Sequence, residues 1–199
     1  IRLSLVGSEM CIRDRDKVIS ALVLILFSPM YLYIAYRVKK DSPGPVFFCQ
    51  ERIGYMGKPF MIYKFRTMYV GAEDKGPLLS SENDERITPF GHVMRKYRLD
   101  EFPQFWNVLK GDMSVVGPRP ERKYFIDQIV KVAPHYYLLH NVRPGITSLG
   151  MVKYGYAGDV DKMIERMKYD VLYYENMSLL LDITILIYTV KTVFTGKGI

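Results

Sequence analysis

Apolar and charged positions are distributed unevenly along this chain. Residues 17–40 read KVISALVLILFSPMYLYIAYRVKK, with no charge between Lys17 and Arg37, a break at Ser28-Pro29 and basic residues at both ends. A helix needs about 20 apolar residues to cross a bilayer, so the run is just long enough. Pro29 lacks a backbone donor and kinks a helix interior, and a serine before it can take up a freed carbonyl. Arg13, Arg15 and Lys17 precede the run, and Arg37, Lys39 and Lys40 follow it. Such charges favour the cytoplasmic side. A straight span would export one cluster, whereas a helix that dips in, bends at Ser28-Pro29 and returns keeps both inside. An ordinary span with a tolerated proline fits the segment equally well, and both readings stay open at this point.

After a turn at Asp41-Ser-Pro-Gly-Pro45, residues 46–53 and 59–68 read as two strands around a glycine-bearing loop at 54–57. Residues 71–88 are polar, carry Gly76-Pro77, and predict a surface loop. Short helices are expected over 90–97 and 100–110. The prolines of Gly117-Pro-Arg-Pro120 force an extended stretch. Residues 121–140 are mostly helical, interrupted near Pro134, and Arg143-Pro-Gly145 is a turn. From Val160 the residues Met163, Ile164, Met167, Val171 and Leu172 keep helical spacing. A last helix with a broad apolar face runs over 178–194 and stops at Gly196 and Gly198. Asp182 interrupts its apolar run, which argues against a second span and for a core or interfacial helix. The expected fold class is α+β, mostly helical, with a membrane helix over 16–40 and a small globular domain over 41–199. Residues 1–15, IRLSLVGSEMCIRDR, resemble a peptide seen at the ends of unrelated translated fragments, from read-through of a library adapter. They are expected to be a non-native leader and are set apart from the fold.

Composition narrows the function classes. Tyr and Phe are plentiful, 16 and 10 residues, which suits a protein at a membrane interface. The formal charge of +7 fits an anionic partner: lipid headgroup, nucleic acid or phosphorylated substrate. A nucleic-acid binder is disfavoured, because the aromatics are not interleaved with a basic stripe. Cys11 and Cys49 give no disulfide framework. His92, His135 and His140 lack zinc-ligand spacing.

The densest chemistry lies in 95–121, RKYRLDEFPQFWNVLKGDMSVVGPRPE. Asp100 and Glu101 are adjacent, and Pro103 two residues on predicts a helix start with Asp100 near its N-cap. Two neighbouring acids repel, so cations are expected beside them, and Arg95, Arg98 and Arg119 are nearby in sequence. A hard divalent ion would suit the same oxygens. Carboxylate, metal and arginines together are what phosphoryl transfer requires. Taken singly, each residue has a plainer reading: Asp100 as a helix cap, Glu101 as a first-turn acid, Arg119 as a surface arginine.

From Lys17 onward the chain resembles the bacterial sugar transferases, monotopic enzymes that load a sugar phosphate onto polyprenyl phosphate. The matching blocks are the Ser28-Pro29 helix, SPGPVFFCQERIG (42–54), KPFMIYKFRTM (58–68), ERITPFG (85–91), LDEFPQFWNVLKGDMSVVGPRPE (99–121), VRPGIT (142–147) and DITILIYTVKTVFTGKG (182–198). The resemblance implies a re-entrant membrane helix, a catalytic domain on the cytoplasmic face of a bacterial inner membrane, and a Mg²⁺-dependent ping-pong reaction. Asp100 and Glu101 would be the catalytic dyad. Asp100 would attack the sugar-linked phosphate of a UDP-sugar, expel UMP and pass the phosphosugar to polyprenyl phosphate, in the first step of exopolysaccharide, O-antigen or glycoconjugate synthesis. Glu101 would help hold the metal, beside Asp100, or handle the acceptor proton. Lys64, Arg66, Arg95 and Arg119 match basic positions near the phosphates. Membrane lipid is an implied partner, and a homodimer is compatible with the resemblance.

The chain departs from the commonest pattern in two places. A serine is usual at or close to Tyr97, and Arg98 adds a cation. After VRPGIT many members continue with Gly-Trp and a glutamine, whereas here Ser148-Leu-Gly-Met151 leads into VKYGYAGDVDKM. That variant resembles long members with several N-terminal transmembrane helices, so this chain is expected to be the catalytic part of such a protein. The departures bear on sugar specificity. The alternative from another class is a basic membrane scaffold that holds lipid phosphate without turnover, with Asp100-Glu101 as a cap; release of UMP separates the two.

Overall fold

The computed structural model describes residues 2–72, 76 and 84–195, with side chains from Ile12 onward. Most of the loop expected over 71–88, and the stop at Gly196 and Gly198, lie outside the described residues. Helix α1 (Arg2–Leu26) and helix α2 (Ser28–Asp41) are separated by Phe27 alone. Their axes, taken from Ile12, differ by 62°. Pro29 falls in the first turn of α2, where a missing N–H breaks no helical bond. The chain therefore bends at Phe27 while its neighbouring bonds survive: Phe27 N–H reaches Val23 O and Tyr31 N–H reaches Phe27 O, each at 3.0 Å. No single described helix is long and apolar enough to cross a membrane, but the bent pair meets that test together. Leu22, Ile25, Leu26, Leu32 and Tyr36 point outward and are exposed. Ile34 and Val38 point inward and pack with Phe65, Phe90 and Met94.

Strands β1 (Phe47–Ile53) and β2 (Pro59–Phe65) form the expected antiparallel hairpin, with Phe47 opposite Phe65 and Ile53 opposite Pro59. Its loop closes through a 3₁₀ turn, Tyr55–Gly57. The second strand ends at Phe65, three residues before the expected limit, and Met68 then bridges to Ile87. Helix α3 (Pro89–Lys96) starts where Thr88 caps it, its hydroxyl accepting from Gly91 N–H at 3.0 Å. Helix α4 (Gln104–Lys110) is followed by strand β3 (Ser114–Val116), helix α5 (Lys123–Val132) and a 3₁₀ stretch, Pro134–Asn141. Strand β4 (Gly145–Thr147) pairs with β3 in parallel, an element the sequence did not announce. Three residues are too few to display an alternation, and β3 is buried throughout.

Helices α6 (Leu149–Lys153), α7 (Val160–Glu175) and α8 (Leu179–Thr195) complete the domain. Met163 and Met167 of α7 pack with Phe125, Ile126, Ile129 and Ala157. Tyr173 and Ile185 pack with Ile62, Val108, Val115 and Val116. Asp182, which breaks the apolar run of α8, is fully buried and accepts from Tyr173 Oη at 2.9 Å. It also pairs with Arg15 at 2.9 Å. Asp16 accepts from Ser114 Oγ and, at 3.0 Å, from Val115 N–H. Helix α1 runs through Arg15 and Asp16 without a break. The opposite face of α8, with Leu180, Ile187 and Phe194, is exposed.

Candidate active site

Asp100 and Glu101 lie on a 3₁₀ turn, Leu99–Glu101, entered through Arg98 in the left-handed region at φ 53°. Helix α4 begins after Pro103, which is its N-cap, and neither the turn nor the helix has a side-chain cap. The expectation that Asp100 sits near the cap of a helix containing Pro103 is thereby corrected. A 3₁₀ turn intervenes because the left-handed Arg98 redirects the chain before α4 can start. The cap reading of the dyad loses its basis.

Asn107 of α4 fixes that helix, directly after the turn, against the hairpin. Its buried amide donates to Met61 O at 2.7 Å and accepts from Tyr63 N–H at 3.1 Å, satisfying two backbone groups of β2 at once. Lys64 follows Tyr63, on the strand face opposite the buried Phe65. Its Nζ lies 2.8 Å from Glu101 Oε1. Arg98 approaches Oε2 at 3.2 Å and Arg119 approaches Oε1 at 3.4 Å. Burial alone would raise the Glu101 pKa, but these three cations outweigh it and hold the carboxyl well below the ordinary range. Asp100 is different. Among the described residues no hydrogen bond or ion pair reaches its carboxylate. Burial raises its pKa, with Glu101 adding to the rise, against the attraction of Lys64, Arg95 and Arg98.

A second carboxylate stands behind Arg119. Glu121 is buried and takes Arg166 of α7 at 2.5 Å, Arg52 of β1 at 3.4 Å and Arg119 Nε at 4.0 Å. Arg119 is thus held between Glu101 and Glu121, and these acids keep its guanidinium charged despite burial. The groups line a cleft of about 480 Å³, a volume that suits a small ligand. One wall is cationic, with Lys64, Arg95, Arg98 and Arg119; another is apolar, with Pro45, Phe47, Phe48 and Val70.

The model of the bacterial sugar transferase family matches residues 8–196. This chain is a bacterial sugar transferase. It is similar to the UDP-N-acetylgalactosamine-undecaprenyl-phosphate N-acetylgalactosaminephosphotransferase of Aeromonas hydrophila, 45% identical over 186 residues, covering 94% of this chain and 44% of that protein. The UDP-glucose:undecaprenyl-phosphate glucose-1-phosphate transferase of Klebsiella pneumoniae is 44% identical over 189 residues, covering 94% of this chain and 40% of that protein. The sugar transferase EpsL of Bacillus subtilis is 39% identical over 184 residues, covering 92% and 87%. The chain spans less than half the length of the Aeromonas and Klebsiella proteins.

In this sugar transferase the residues singled out by sequence divide into two groups. Lys64, Arg95, Asp100, Glu101 and Arg119 meet in the cleft. Arg95 reaches it from the last turn of α3, with Nε donating to Thr67 Oγ1 at 2.9 Å. Arg66 touches the cleft, but its guanidinium donates to Ser42 O at 2.7 Å and Pro43 O at 2.8 Å, clamping the turn after α2. A Cβ on Gly44, which has φ +128°, would lie 2.0 Å from Arg66 Nη1, so this turn requires glycine. Ser28 and Pro29 sit at the helix bend, away from the cleft lining. Sequence reasoning missed Asn107, Glu121 and Arg166. For Arg166 a signal existed, since it shares the buried stripe of α7 with Met163, Met167 and Asp170. An arginine on such a stripe requires a buried partner.

Proposed function

We propose that this chain transfers a sugar 1-phosphate from a UDP-sugar to a polyprenyl phosphate, such as undecaprenyl phosphate, releasing UMP. The observation that carries the reading is the asymmetry of the dyad: Glu101 is held by three cations while Asp100, beside it, has no hydrogen-bond or ion-pair partner among the described residues. An anionic side chain without a partner, set among cations, suits a nucleophile approaching a phosphate. An Asp100 oxygen attacks the sugar-linked phosphorus, the bond to the bridging oxygen breaks, and that oxygen leaves on UMP. The polyprenyl phosphate oxygen then attacks the same phosphorus and breaks the acyl-phosphate bond. Asp100 returns as carboxylate, and the product is a polyprenyl diphosphate sugar. Lys64, Arg95, Arg98 and Arg119 offset the charge on the phosphate oxygens. Glu101, with its carboxyl held far below neutral pH, is a poor proton acceptor and serves to anchor Lys64, Arg98 and Arg119.

A magnesium ion belongs to this reading. Mg²⁺ is commonly held by one or two carboxylates together with substrate phosphates and water. No cluster of three acidic, histidine or cysteine residues able to hold a metal occurs among the described residues, and both Glu101 oxygens are engaged. Asp100 fits as the single protein ligand. When bound, the ion would neutralise charge on the diphosphate.

The same reading places the protein at the cytoplasmic face of a bacterial inner membrane. The bent α1–α2 pair would enter the bilayer and return, with the exposed face of α8 in the interface. The Ser42-to-Pro45 turn joins the end of α2 to the apolar side of the cleft, and the acceptor lipid would enter along it. The test is UMP release from a panel of UDP-sugars with polyprenyl phosphate and Mg²⁺. Release with at least one sugar supports the reading, and none with any sugar rejects it in favour of a non-catalytic scaffold.

A further inference from the structure

The segment between α6 and α7 contributes one large side chain to the cleft, Tyr156. Its placement follows from its neighbours. Helix α6 ends as Tyr154 N–H and Gly155 N–H both bond to Gly150 O, at 3.0 and 3.2 Å. Gly155 is then left-handed at φ +95°, a conformation that reverses the chain after a helix end. Ala157 is 1% exposed and packs with Phe125 and Met163. Between a reversed glycine and a buried alanine, Tyr156 is directed into the cleft, where it retains 40% of its surface. Its segment borders the phosphate cations: Arg98 and Arg119 reach Met151 Sδ of α6 at 3.8 and 3.3 Å, and Tyr156 shares the cleft lining with both.

We propose that Tyr156 is a specificity-determining residue that reads the substituent at C2 of the donor sugar. This rests on the transferase reading above. In a sugar 1-phosphate the ring position next to the phosphorylated C1 is C2, whereas C4 lies across the ring. A phenol on the sugar side of the phosphate cations meets the C2 hydroxyl or acetamido group before any substituent at C4. It can donate to the acetamido carbonyl or exchange hydrogen bonds with a hydroxyl. The C4 epimers, by contrast, present the same C2 group to Tyr156. Sequence variation in this segment, where the chain leaves the commonest family pattern, would then tune the donor class without touching the dyad.

The test uses four donors: UDP-glucose, UDP-galactose and their two N-acetylhexosamine counterparts. UMP release is measured with polyprenyl phosphate for the full chain and for Tyr156→Phe, with Tyr154→Phe as a control outside the cleft. Donors that do not turn over are measured as competitive inhibitors of one that does. Tyr156→Phe should change the ratio of acetamido to hydroxyl donors about fivefold, the equivalent of one neutral hydrogen bond. The ratio between C4 epimers should stay within about twofold of its starting value, the scatter expected of a residue that makes no contact there. Tyr154→Phe should alter neither ratio. An unchanged C2 ratio in an active enzyme, or equal shifts in both ratios, overturns the proposal and leaves the transferase reading standing. No UMP from the unaltered chain with any donor rejects the transferase reading itself, and the proposal falls with it.

Discussion

Lys64 Nζ lies 2.8 Å from Glu101 Oε1, across 37 residues of sequence, and this contact sorts the two acids of the dyad. With Arg98 and Arg119 it neutralises Glu101, while Asp100 has no hydrogen-bond or ion-pair partner among the described residues. Two adjacent carboxylates, alike in sequence, end in different surroundings because cations from β2, the 3₁₀ turn and the Pro-Arg-Pro segment pair with Glu101.

Asp100→Asn should abolish turnover, by at least about a thousandfold as for loss of a covalent nucleophile, without lowering Tm. No cap is lost, since Asp100 caps no helix. The sign of the stability change follows from linkage. Burial raises the Asp100 pKa above its unfolded value, so the folded state binds the proton more tightly and ionisation destabilises it. The variant should therefore melt at or above the parent at pH 7, and its advantage should shrink as pH falls through the carboxylate range. For the same reason the loading rate of the unaltered enzyme should fall on acidification at a pH above that of an ordinary aspartate, because the protonated carboxyl is not a nucleophile. Melting curves and pH–rate profiles check both.

Arg66 and Arg119 should separate cleanly. Arg66→Ala removes two hydrogen bonds from a charged donor to backbone carbonyls, one of them buried, and should lower Tm by roughly 5 °C or more. Arg119→Ala should remove a charge-assisted phosphate contact of roughly 1.5–3 kcal/mol and slow loading by about one to two orders of magnitude. Thermal melts alongside single-turnover UMP release distinguish the two effects.

Much of this was legible in the chain. The hairpin, the helices from Pro89 and Val160, and the bend at Ser28-Pro29 each carry a period or a breaker of their own. The β3–β4 pair carries neither. Lys64 and Arg66 look equivalent in KFRTM, and a strand running to residue 68 would put both on one face. The strand stops at Phe65, so Arg66 turns away to Ser42 and Pro43. Which acid of the dyad meets Lys64 depends on Asn107 setting α4 against β2, a tertiary contact with no local signature.

Glu121 should act on the reaction through Arg119. Glu121→Gln should slow loading several-fold, and in an Arg119→Ala background it should add little further loss to the rate while still lowering Tm. Independent, multiplying rate losses would show that Glu121 braces the fold without positioning Arg119.

Both ends of the bent helix pair should face the cytoplasm. In a background with Cys11 and Cys49 replaced by serine, Lys17→Cys and Lys40→Cys should react with an impermeant maleimide only from the cytoplasmic side. Labelling of either from the periplasm would establish a full span. Pro29→Leu should straighten the bend and shift one of the two positions to the far side.

The central claim is that Asp100 carries the phosphosugar, and the most direct measurement omits the acceptor. Enzyme, Mg²⁺ and a radiolabelled UDP-sugar should release at most one UMP per active site and leave one label on the protein. That label should be lost to hydroxylamine, be absent from Asp100→Asn, and move to lipid when polyprenyl phosphate is added. Release of UMP only when both substrates are present, with no label on the protein, would contradict the covalent route.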